Sequence, residues 1–559
     1  MRNGRCCGGS PPSRGGATVE AAEAACVGGP VEQFEVLDLI TSLVDKSLLV
    51  TDGDGRYRML ETIKAYGLER LAEAGEREPV RRAHAAYFTG LARTADPYLR
   101  RAEQLEWLAR LTVEHDNLNA ALRGAIAAGD ARAAVRLVAA AGWYWWISGH
   151  KAEGAELAAR ALAVATPKPD QGPDQGPGQG PGDEEPEEEA LAVACALAVL
   201  FATAGLGDDR RTGDLLRRAV VLAERTGTRH PVVGFVAPME RLLLSAAAGE
   251  PAPLDAWDGV LADEDPWLRA QGRLESARTL LAAGGPPAAA EASAEEALAG
   301  FRGIGERWGT SFALTVLADL VARRGDFAAA IGHYRQAAAV IGEMGVVEDR
   351  LYAQVRQAQL SWLAGDAAAG EAALAQAERD AEAAGWPEAI AATAHGRAEL
   401  ARWRGESAVA RAGLDRVQEA LREVAVHDAF RAMVLDSLAH LDAADGHLEA
   451  ARARRAEALE MAVGTMHAPT VAQMLVGVAD QAVRLDRPEE AARLLAAALA
   501  VRGGPDLSLT DAGRVEEAAR ATLGAAYEQH AGHGEPDGSD GPGLTMEAVR
   551  ELARVTLGG

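Results

Sequence analysis

The sequence is poor in cysteine, lysine and aromatic residues, and each shortage argues against a class of protein. Its 559 residues contain four cysteines and no CxxC pair, which argues against a disulfide scaffold and against a structural zinc site. A P-loop needs a Gly-Lys-Ser/Thr sequence, because its lysine reaches the nucleotide phosphates. None of the four lysines follows a glycine, so the sequence has no P-loop; they are Lys46, Lys64, Lys151 and Lys168.

An excess of basic charge is also missing. The net charge is −25 and the pI is about 5.0, whereas nucleic-acid binding and polybasic membrane binding both need a cationic surface. The arginine-containing N-terminus lacks the apolar core of a signal peptide. The most apolar run, Ala190–Leu206, is at the lower limit for a membrane span and alanine-rich, so we predict a buried helix instead. These features predict a cytoplasmic protein that binds neither DNA nor membranes directly.

Apolar residues nevertheless make up 48% of the chain, while aromatic residues make up only 5%. Much of the apolar content is alanine, which is the best helix former, whereas strands favour β-branched and aromatic residues. The composition therefore predicts an all-α protein with close contacts between helices.

The first 78 residues divide into two parts. Residues 1–14 read as disordered. Within residues 15–78, apolar residues at helical spacing are followed by two β-rich runs, KSLLVTD and RYRML, around a Gly/Asp turn. The amphipathic segment ETIKAYGLERLAEAG comes next and ends at Gly75. Helix, hairpin and helix in this order predict a winged-helix-like domain with one β-hairpin.

Residues 79–165 read as helices and first repeats, and 166–189 as a linker. The linker is rich in proline, glycine and acidic residues, so it should be extended and solvated. An aromatic cluster precedes it. Trp143, Trp145 and Trp146 are candidates for a ligand groove, although helical spacing puts Trp143 and Trp146 on one face, which is also typical of a core.

Residues 190–503 contain a repeat of about 40 residues. Its turn residues are spaced by 40, 40, 40, 41 and 40 positions, and they are Gly285, Gly325, Gly365, Gly405, Gly446 and Asp486. A small residue stands five positions after each turn, and another small or β-branched residue seven further on, so that both share a helix face and let a second helix approach. This pattern predicts a solenoid of helical hairpins, and residues 504–559 a helical cap with a flexible insert.

One unit, RRGDFAAAIGHYRQAA, resembles the tetratricopeptide repeat. Gly325, Phe327, Ala330, Tyr334 and Ala337 hold its signature positions. The other units match only at their small and turn positions, and Arg455 stands where an apolar residue is expected.

Several segments together resemble a larger family. VDKSLLV, YRMLETI and EHDNL are similar, in order and wording, to the C-terminal half of AfsR/SARP- and LuxR-type regulators of the signal-transduction ATPase class. That resemblance implies a winged helix and tetratricopeptide-like repeats, preceded in the family by an NB-ARC-like ATPase and accompanied by a separate DNA-binding domain. The sequence has no recognisable ATPase or DNA-binding domain, so it looks like a member that lacks them.

The resemblance also marks a degenerate nucleotide-sensor position at Met59, Leu60 and Glu61. In the family the winged helix carries Met-His-Asp, whose histidine contacts the ADP phosphate. Leu60 cannot donate a hydrogen bond, so we expect no nucleotide cofactor; the alternative is that Met59 and Leu60 are core residues where the hairpin meets the helix.

No catalytic residue, cofactor-binding residue or metal ligand emerges from the sequence. The histidine of EHDNL, His115, has no second histidine or cysteine at metal-ligand spacing, and neither HExxH nor GxSxG occurs. We therefore expect a non-enzymatic regulatory and interaction module that holds a protein partner or small effector in the groove of its array. It would act with a separate or upstream ATPase or DNA-binding domain. The alternative is a stand-alone repeat scaffold without a role in transcription.

Overall fold

The structure, a computed structural model, describes residues 16–26, 31–51, 55–166, 186–203, 209–422, 427–531 and 545–558. The predicted disordered start, most of the predicted linker at 166–189 and the predicted insert in the cap lie outside the described residues. Almost all of the described chain is helical, and its one sheet is a two-stranded hairpin, so the all-α prediction is confirmed. The chain divides into two compact units, Met1–Glu240 and Arg241–Gly559.

The first unit begins with helices on both sides of the hairpin. Helices α1 (Val19–Cys26) and α2 (Gln33–Asp45) precede strands β1 (Leu49–Thr51) and β2 (Tyr57–Met59), and α3 (Glu61–Glu73) follows them. The strands are antiparallel, with Val50 opposite Arg58. The helix–hairpin–helix order matches the one predicted.

A glycine holds the start of this unit against the hairpin. Gly16 has φ +68°, and a Cβ there would lie 2.8 Å from the Tyr57 carbonyl oxygen, so only glycine fits. Its own carbonyl oxygen accepts hydrogen bonds from Arg56 Nη2 at 2.9 Å and Asn117 Nδ2 at 3.0 Å. Arg56 also forms a buried ion pair with Glu114. Glu114 and Asn117 of the EHDNL segment thus connect the hairpin region, through buried polar contacts, to the helices that follow it in the chain.

The rest of the first unit is a helical bundle. Its elements are α4 (Arg77–Ala95), a 3-10 turn (Asp96–Arg100), α5 (Gln104–Val113), α6 (His115–Ala127), α7 (Ala131–Ile147), α8 (Lys151–Val164), α9 (Glu188–Phe201), α10 (Asp209–Thr226) and a second 3-10 turn (Pro231–Phe235). The next helix, α11 (Val236–Ala248), begins in the first unit and ends in the second.

The apolar run after the linker is buried in this bundle. In α9 nine residues are buried, and Leu197 packs so closely on α7 that a Cβ at Gly142 would lie 2.4 Å from it. The buried-helix prediction is therefore confirmed for the described part of that run. Helices α9 and α10 lie in the first of the two compact units, so the division between the units at residue 240 differs from the start of the repeats predicted at residue 190.

The second unit contains α12 (Asp258–Leu261) and six helical hairpins. The hairpins pair α13 (Pro266–Ala282) with α14 (Pro287–Ile304), α15 (Arg307–Arg323) with α16 (Phe327–Glu343), α17 (Val347–Leu363) with α18 (Ala367–Ala384), α19 (Pro387–Trp403) with α20 (Ser407–Ala420), α21 (Asp428–Ala444) with α22 (Leu448–Thr465), and α23 (Ala468–Arg484) with α24 (Pro488–Arg502). Three further helices follow: α25 (Thr510–Leu523), α26 (Tyr527–Ala531) and α27 (Met546–Leu557).

The turns between paired helices lie where the repeat predicts them. Gly325, Gly365, Gly405 and Gly446 have φ between +77° and +86°, and Asp486 adopts the same left-handed region at +60°. The first turn differs from the prediction, since its left-handed residue is Gly284 rather than Gly285. The phasing of the repeat is therefore right to within one residue.

The small positions of the repeat are the contact points of its helices. Ala330, Tyr334 and Ala337 are fully buried on α16. At the equivalent of Ala330 in the next hairpin, a Cβ on Gly370 would lie 2.7 Å from the Ala358 carbonyl oxygen. The repeat thus specifies close packing within and between hairpins.

The first and last hairpins of the second unit also touch. Helix α13 contacts α23, and a Cβ on Gly284 would lie 2.0 Å from the Val501 carbonyl oxygen. A Cβ on Gly503 would in turn lie 2.2 Å from the Gly284 carbonyl oxygen. The six hairpins therefore close on themselves, and the backbone is too tightly packed at the closure for any residue but glycine.

We predict that Ala337→Leu lowers the free energy of unfolding of the second unit by about 1–3 kcal/mol, because the added methylenes overpack a closed helix contact. The matched control is Ala339→Leu on the same helix, where the side chain is exposed and the change should be within about 0.5 kcal/mol. Urea denaturation measures both. Equal midpoints for Ala337→Leu and wild type would contradict the packing described.

A second prediction concerns His84 on α4, which is buried against Phe88 and near Lys64. Burial, and secondarily the charge of Lys64, lower its pKa to about 3. The folded state thus excludes a proton that the unfolded state binds below pH 6.5, and stability falls as pH drops through that range. From pH 7 to pH 5 we expect the first unit to lose about 1–2 kcal/mol through this residue.

Urea denaturation of wild type and His84→Phe at both pH values checks the His84 prediction. The variant should lose less stability on acidification than the wild type does. An identical loss in the two proteins would show that His84 is not kept neutral by the fold.

Candidate functional site

A polar residue at one place in the hairpin is buried or partly buried in five of the six hairpins; the first hairpin, counted from Gly284, has the exposed Arg278 there. The polar residue stands six positions before the turn residue, on the first helix of the hairpin. We call this set the polar stripe, and its members are Asp319, Gln359, Glu399, His440 and Asp480. Four of them are 8% exposed or less, and Asp319 is partly buried. Burying a polar side chain costs folding free energy unless the side chain is hydrogen-bonded, so each member of the stripe needs a polar partner.

Each member of the stripe is paired with other polar groups. Asp319 accepts a hydrogen bond from the Tyr334 hydroxyl at 2.5 Å, and Gln359 accepts one from Arg356 at 2.8 Å. Glu399 accepts two hydrogen bonds from one edge of Arg402, from Nη2 at 2.7 Å and Nε at 3.0 Å. Burial opposes the charge of Glu399, but the Arg402 guanidinium outweighs that effect and keeps its pKa at about 2.

The stripe ends in a dense charged network. Asp480 is 1% exposed and accepts hydrogen bonds from Arg455 at 2.6 Å, Arg514 at 2.8 Å and Arg484 at 2.9 Å. Arg455 is itself 1% exposed. It is the residue that breaks the apolar pattern of the repeat, so its irregularity is explained by its role as the buried partner of Asp480.

Burial shifts the pKa values of two further groups of this network toward their uncharged forms. Burial lowers the pKa of His440 to about 4, so it is uncharged at neutral pH. Burial raises the pKa of Asp436 to about 7, and its Oδ1 has no hydrogen-bond partner. The network therefore combines fixed ion pairs with groups whose charge the interior suppresses.

The chain's own α25 lies against the stripe. Asp511, in its first turn, accepts two hydrogen bonds from Arg402 at 2.7 and 3.1 Å and lies 3.8 Å from His440. Before this helix, the Leu507 amide donates to the Arg323 carbonyl oxygen at 2.9 Å. The segment that was predicted as a C-terminal cap therefore contacts the polar face of the array instead of only covering its last hairpin.

The sensor-like triplet lies where the hairpin meets α3. Met59 ends β2 and is partly buried beside the core of α2, while Glu61 begins α3. Leu60 is 57% exposed, so the alternative that it is a core residue is wrong. An extended backbone at Leu60 turns its side chain away from that core.

The aromatic cluster forms part of the core of the first unit. Trp143 and Trp145 are almost fully buried and Trp146 is 9% exposed. The Trp146 ring packs on Phe201 of α9 at 5.9 Å between centroids, and a Cβ on Gly154 would meet both Phe201 and Trp145. The groove prediction for Trp143, Trp145 and Trp146 is therefore wrong, because α8 and α9 cover these rings.

Near this core the structure brings together a pair of histidines that sequence spacing does not reveal. His115, His150 and Glu153 place possible ligand atoms within 4.8 Å of one another. The His115 ring stacks on His150 at 3.8 Å, and its Nε2 is already 2.9 Å from both Glu153 and Asn119. Stacked rings direct their nitrogens into separate planes, so this geometry fits a hydrogen-bonded network better than a shared metal ion.

Among the described residues, one helical stretch, Pro231–Ala248, has the length and apolar composition of a membrane span. It includes a 3-10 turn, and 28% of it is buried.

Comparison with known proteins gives partial similarity. No family model matches the chain. Over 146 residues it is 37% identical to proteins provisionally named as HTH-type transcriptional regulators in Mycobacterium bovis and in two strains of Mycobacterium tuberculosis. The match covers 26% of this chain and 16% of each regulator, so it spans about a sixth of their length.

Two solved structures are similar over most of the chain, at low scores. One is a signal transduction ATPase with numerous domains (STAND) protein with a tetratricopeptide repeat sensor, from Pyrococcus horikoshii. The alignment covers 90% of this chain and 61% of that one, with 10% identity and a TM-score of 0.33. The other is a chain of the APC/C hetero-tetramer Cut9–Hcn1. That alignment covers 89% of this chain and 99% of the other, with 13% identity and a TM-score of 0.33.

The buried pair at the end of the stripe gives a third prediction. Arg455→Ala should lower the free energy of unfolding of the second unit by about 3 kcal/mol, because it leaves Asp480 with one fewer cation in a dry site. The neighbouring Arg454 is a matched control, since it pairs with Asp442 at a side-chain exposure of 36%. Arg454→Ala should cost at most about 1 kcal/mol. Similar losses for both variants, measured by urea denaturation, would contradict a structural role for the buried pair.

Proposed function

We propose that this chain is the regulatory and protein-interaction part of a bacterial transcriptional regulator of the signal-transduction ATPase class. The observation that carries the proposal is the 37% identity with HTH-type transcriptional regulators over 146 residues. The order of helix–hairpin–helix and repeat array supports a winged helix and tetratricopeptide-like repeats of the AfsR/SARP or LuxR type. The role is non-catalytic, uses no cofactor and is carried out in the cytoplasm.

In this proposal the array is the element that receives a signal. Helical-hairpin arrays present the first helices of their units to a ligand or partner protein. Tyr352 is such a residue: it stands seven positions before Gln359 on α17, on the same helix face, and is 50% exposed. It also packs edge-on against Tyr334 at 6.4 Å between centroids, so its ring is held in place. Positioned, accessible aromatic side chains of this kind are frequent anchors of binding surfaces.

The partner in this proposal is a protein that carries a P-loop ATPase or a DNA-binding domain. The net charge of −25 argues against a direct contact with DNA, because phosphates require cations. The alternative function, a scaffold without a role in transcription, keeps the same array and differs only in the class of protein that it binds.

A fourth prediction tests the proposal. In cells of the source organism, crosslinking followed by affinity purification of the tagged full chain should recover a protein with a P-loop ATPase or helix-turn-helix domain. Tyr352→Ala should reduce that recovery at least about tenfold, since truncating an aromatic anchor costs about 2 kcal/mol or more. Val409→Ala, which removes a similarly exposed apolar side chain on the second helix of a hairpin, is the matched control and should leave recovery unchanged.

Recovery of proteins that carry neither domain would favour the scaffold. Equal recovery with Tyr352→Ala and Val409→Ala would show that the partner does not bind the face of the array on which Tyr352 lies.

A further inference from the structure

The closure of the second unit contains an arginine with one buried edge that has no hydrogen-bond acceptor. Arg502 is the last residue of α24 and is 4% exposed. Its Nε and Nη2 are both buried and have no hydrogen-bond partner. These two atoms form one edge of the guanidinium group, the edge that carboxylates and phosphates bind with two parallel hydrogen bonds.

The surrounding groups do not supply that acceptor. Asp506 is the acidic group whose charge acts most on Arg502, but its Oδ1 accepts from the Ser508 amide at 3.0 Å and from the Ser508 hydroxyl at 2.6 Å. Its Oδ2 lies 3.9 Å from Arg323 Nε, which is too long for a hydrogen bond. Arg323 and Arg502 therefore share one carboxylate, and that carboxylate is bound to a serine.

The backbone around Arg502 is fixed by the closure. Val501 and Gly503 on either side of it pack against Gly284, and Leu507 donates its amide hydrogen bond to Arg323. Three elements that are distant in sequence thus meet at one place: the turn after α13, the end of α15 and the segment after α24. The backbone that carries Arg502 is therefore held at the point where the first, second and last hairpins meet.

The site keeps its positive charge at neutral pH. Burial, opposed by Asp506 and reinforced by Arg323, lowers the pKa of Arg502 to about 10, so the group remains protonated. A protonated guanidinium with one buried, unpaired edge is unfavourable, and an anion that bound to that edge would remove the penalty.

We propose that Arg502, with Arg323 beside it, is the anchor of a binding site for a small oxyanion, a carboxylate or phosphate group, at the closure of the repeat array. The anion accepts two hydrogen bonds from Nε and Nη2 of Arg502 and neutralises the excess cation there. Anion binding stabilises the contacts of the last hairpin with the first and second hairpins. The inference deepens the proposed function, on which its regulatory meaning rests, by naming the chemistry of an effector of the array.

The fifth prediction measures thermal unfolding of the full chain at constant ionic strength, with sodium chloride replaced by 10 mM sodium phosphate or 10 mM sodium acetate. If phosphate or acetate binds, the melting temperature of the second unit should rise by roughly 2–4 °C relative to chloride. The phosphate and acetate arms distinguish the two kinds of oxyanion. No rise with either would overturn the proposal.

Two variants separate binding from a structural role. Arg502→Met keeps the length of the side chain and removes the charge, so it should melt no lower than wild type in chloride and show no response to the anion. Arg493→Met, on the exposed side of the same helix, should respond as the wild type does. An anion response that survives in Arg502→Met would place the anion elsewhere and contradict the proposal.

A measurement on the wild type alone covers the case in which Arg502→Met does not fold. In hydrogen–deuterium exchange, the anion should slow exchange at least threefold in the segment 503–508 relative to chloride. Unchanged exchange in that segment would overturn the proposal. The test is independent of the crosslinking experiment, because anion binding can fail while the regulatory partner is still recovered, and the reverse.

Discussion

The second unit depends on the close approach of helices at positions where the side chain is small. At the first of these positions the six hairpins carry Ala290, Ala330, Gly370, Ala410, Ala451 and Ala491, all buried. A hairpin of two helices cannot bury its own apolar face, so each unit obtains the rest of its core from its neighbours. Because alanine brings backbones close without a large side chain between them, the array forms from a sequence in which aromatic residues are scarce.

The same close packing buries most of the polar stripe. Its acids are therefore paired directly with arginines, as in Glu399–Arg402 and Asp480–Arg455. Lysine is rare in this sequence, and arginine has the planar, multiply donating group that can serve two carboxylates at once, as Arg402 does for Glu399 and Asp511. The arginine-rich composition thus has a local structural use in the interior of the array.

What the sequence allowed us to predict follows from what is periodic in it. The turns at Gly325 and Gly365 and the contacts at Ala330 and Ala337 repeat every 40 residues, so the hairpins could be placed without a structure. The polar stripe has the same period and could have been found in the same way, but a search for apolar and small positions passes over it.

Other features depend on contacts between distant residues, and no local pattern reveals them. The burial of Trp145 is due to α8 and α9, and α9 follows the acidic linker. The exposure of Leu60 results from the backbone direction where the hairpin ends. The unpaired edge of Arg502 exists because Asp506 binds Ser508 rather than the neighbouring arginines, an arrangement that spacing along the chain does not determine.

The meeting of Gly284 with Gly503 has an evolutionary consequence. An open row of repeats can gain or lose a unit by duplication or deletion, because each unit contacts only its neighbours. In a closed set of six, an added or missing hairpin would separate the two glycines and the backbone contacts around them. The number of repeats in this unit is therefore constrained by geometry, and we expect homologous chains to vary in the sequence of their hairpins while keeping their count.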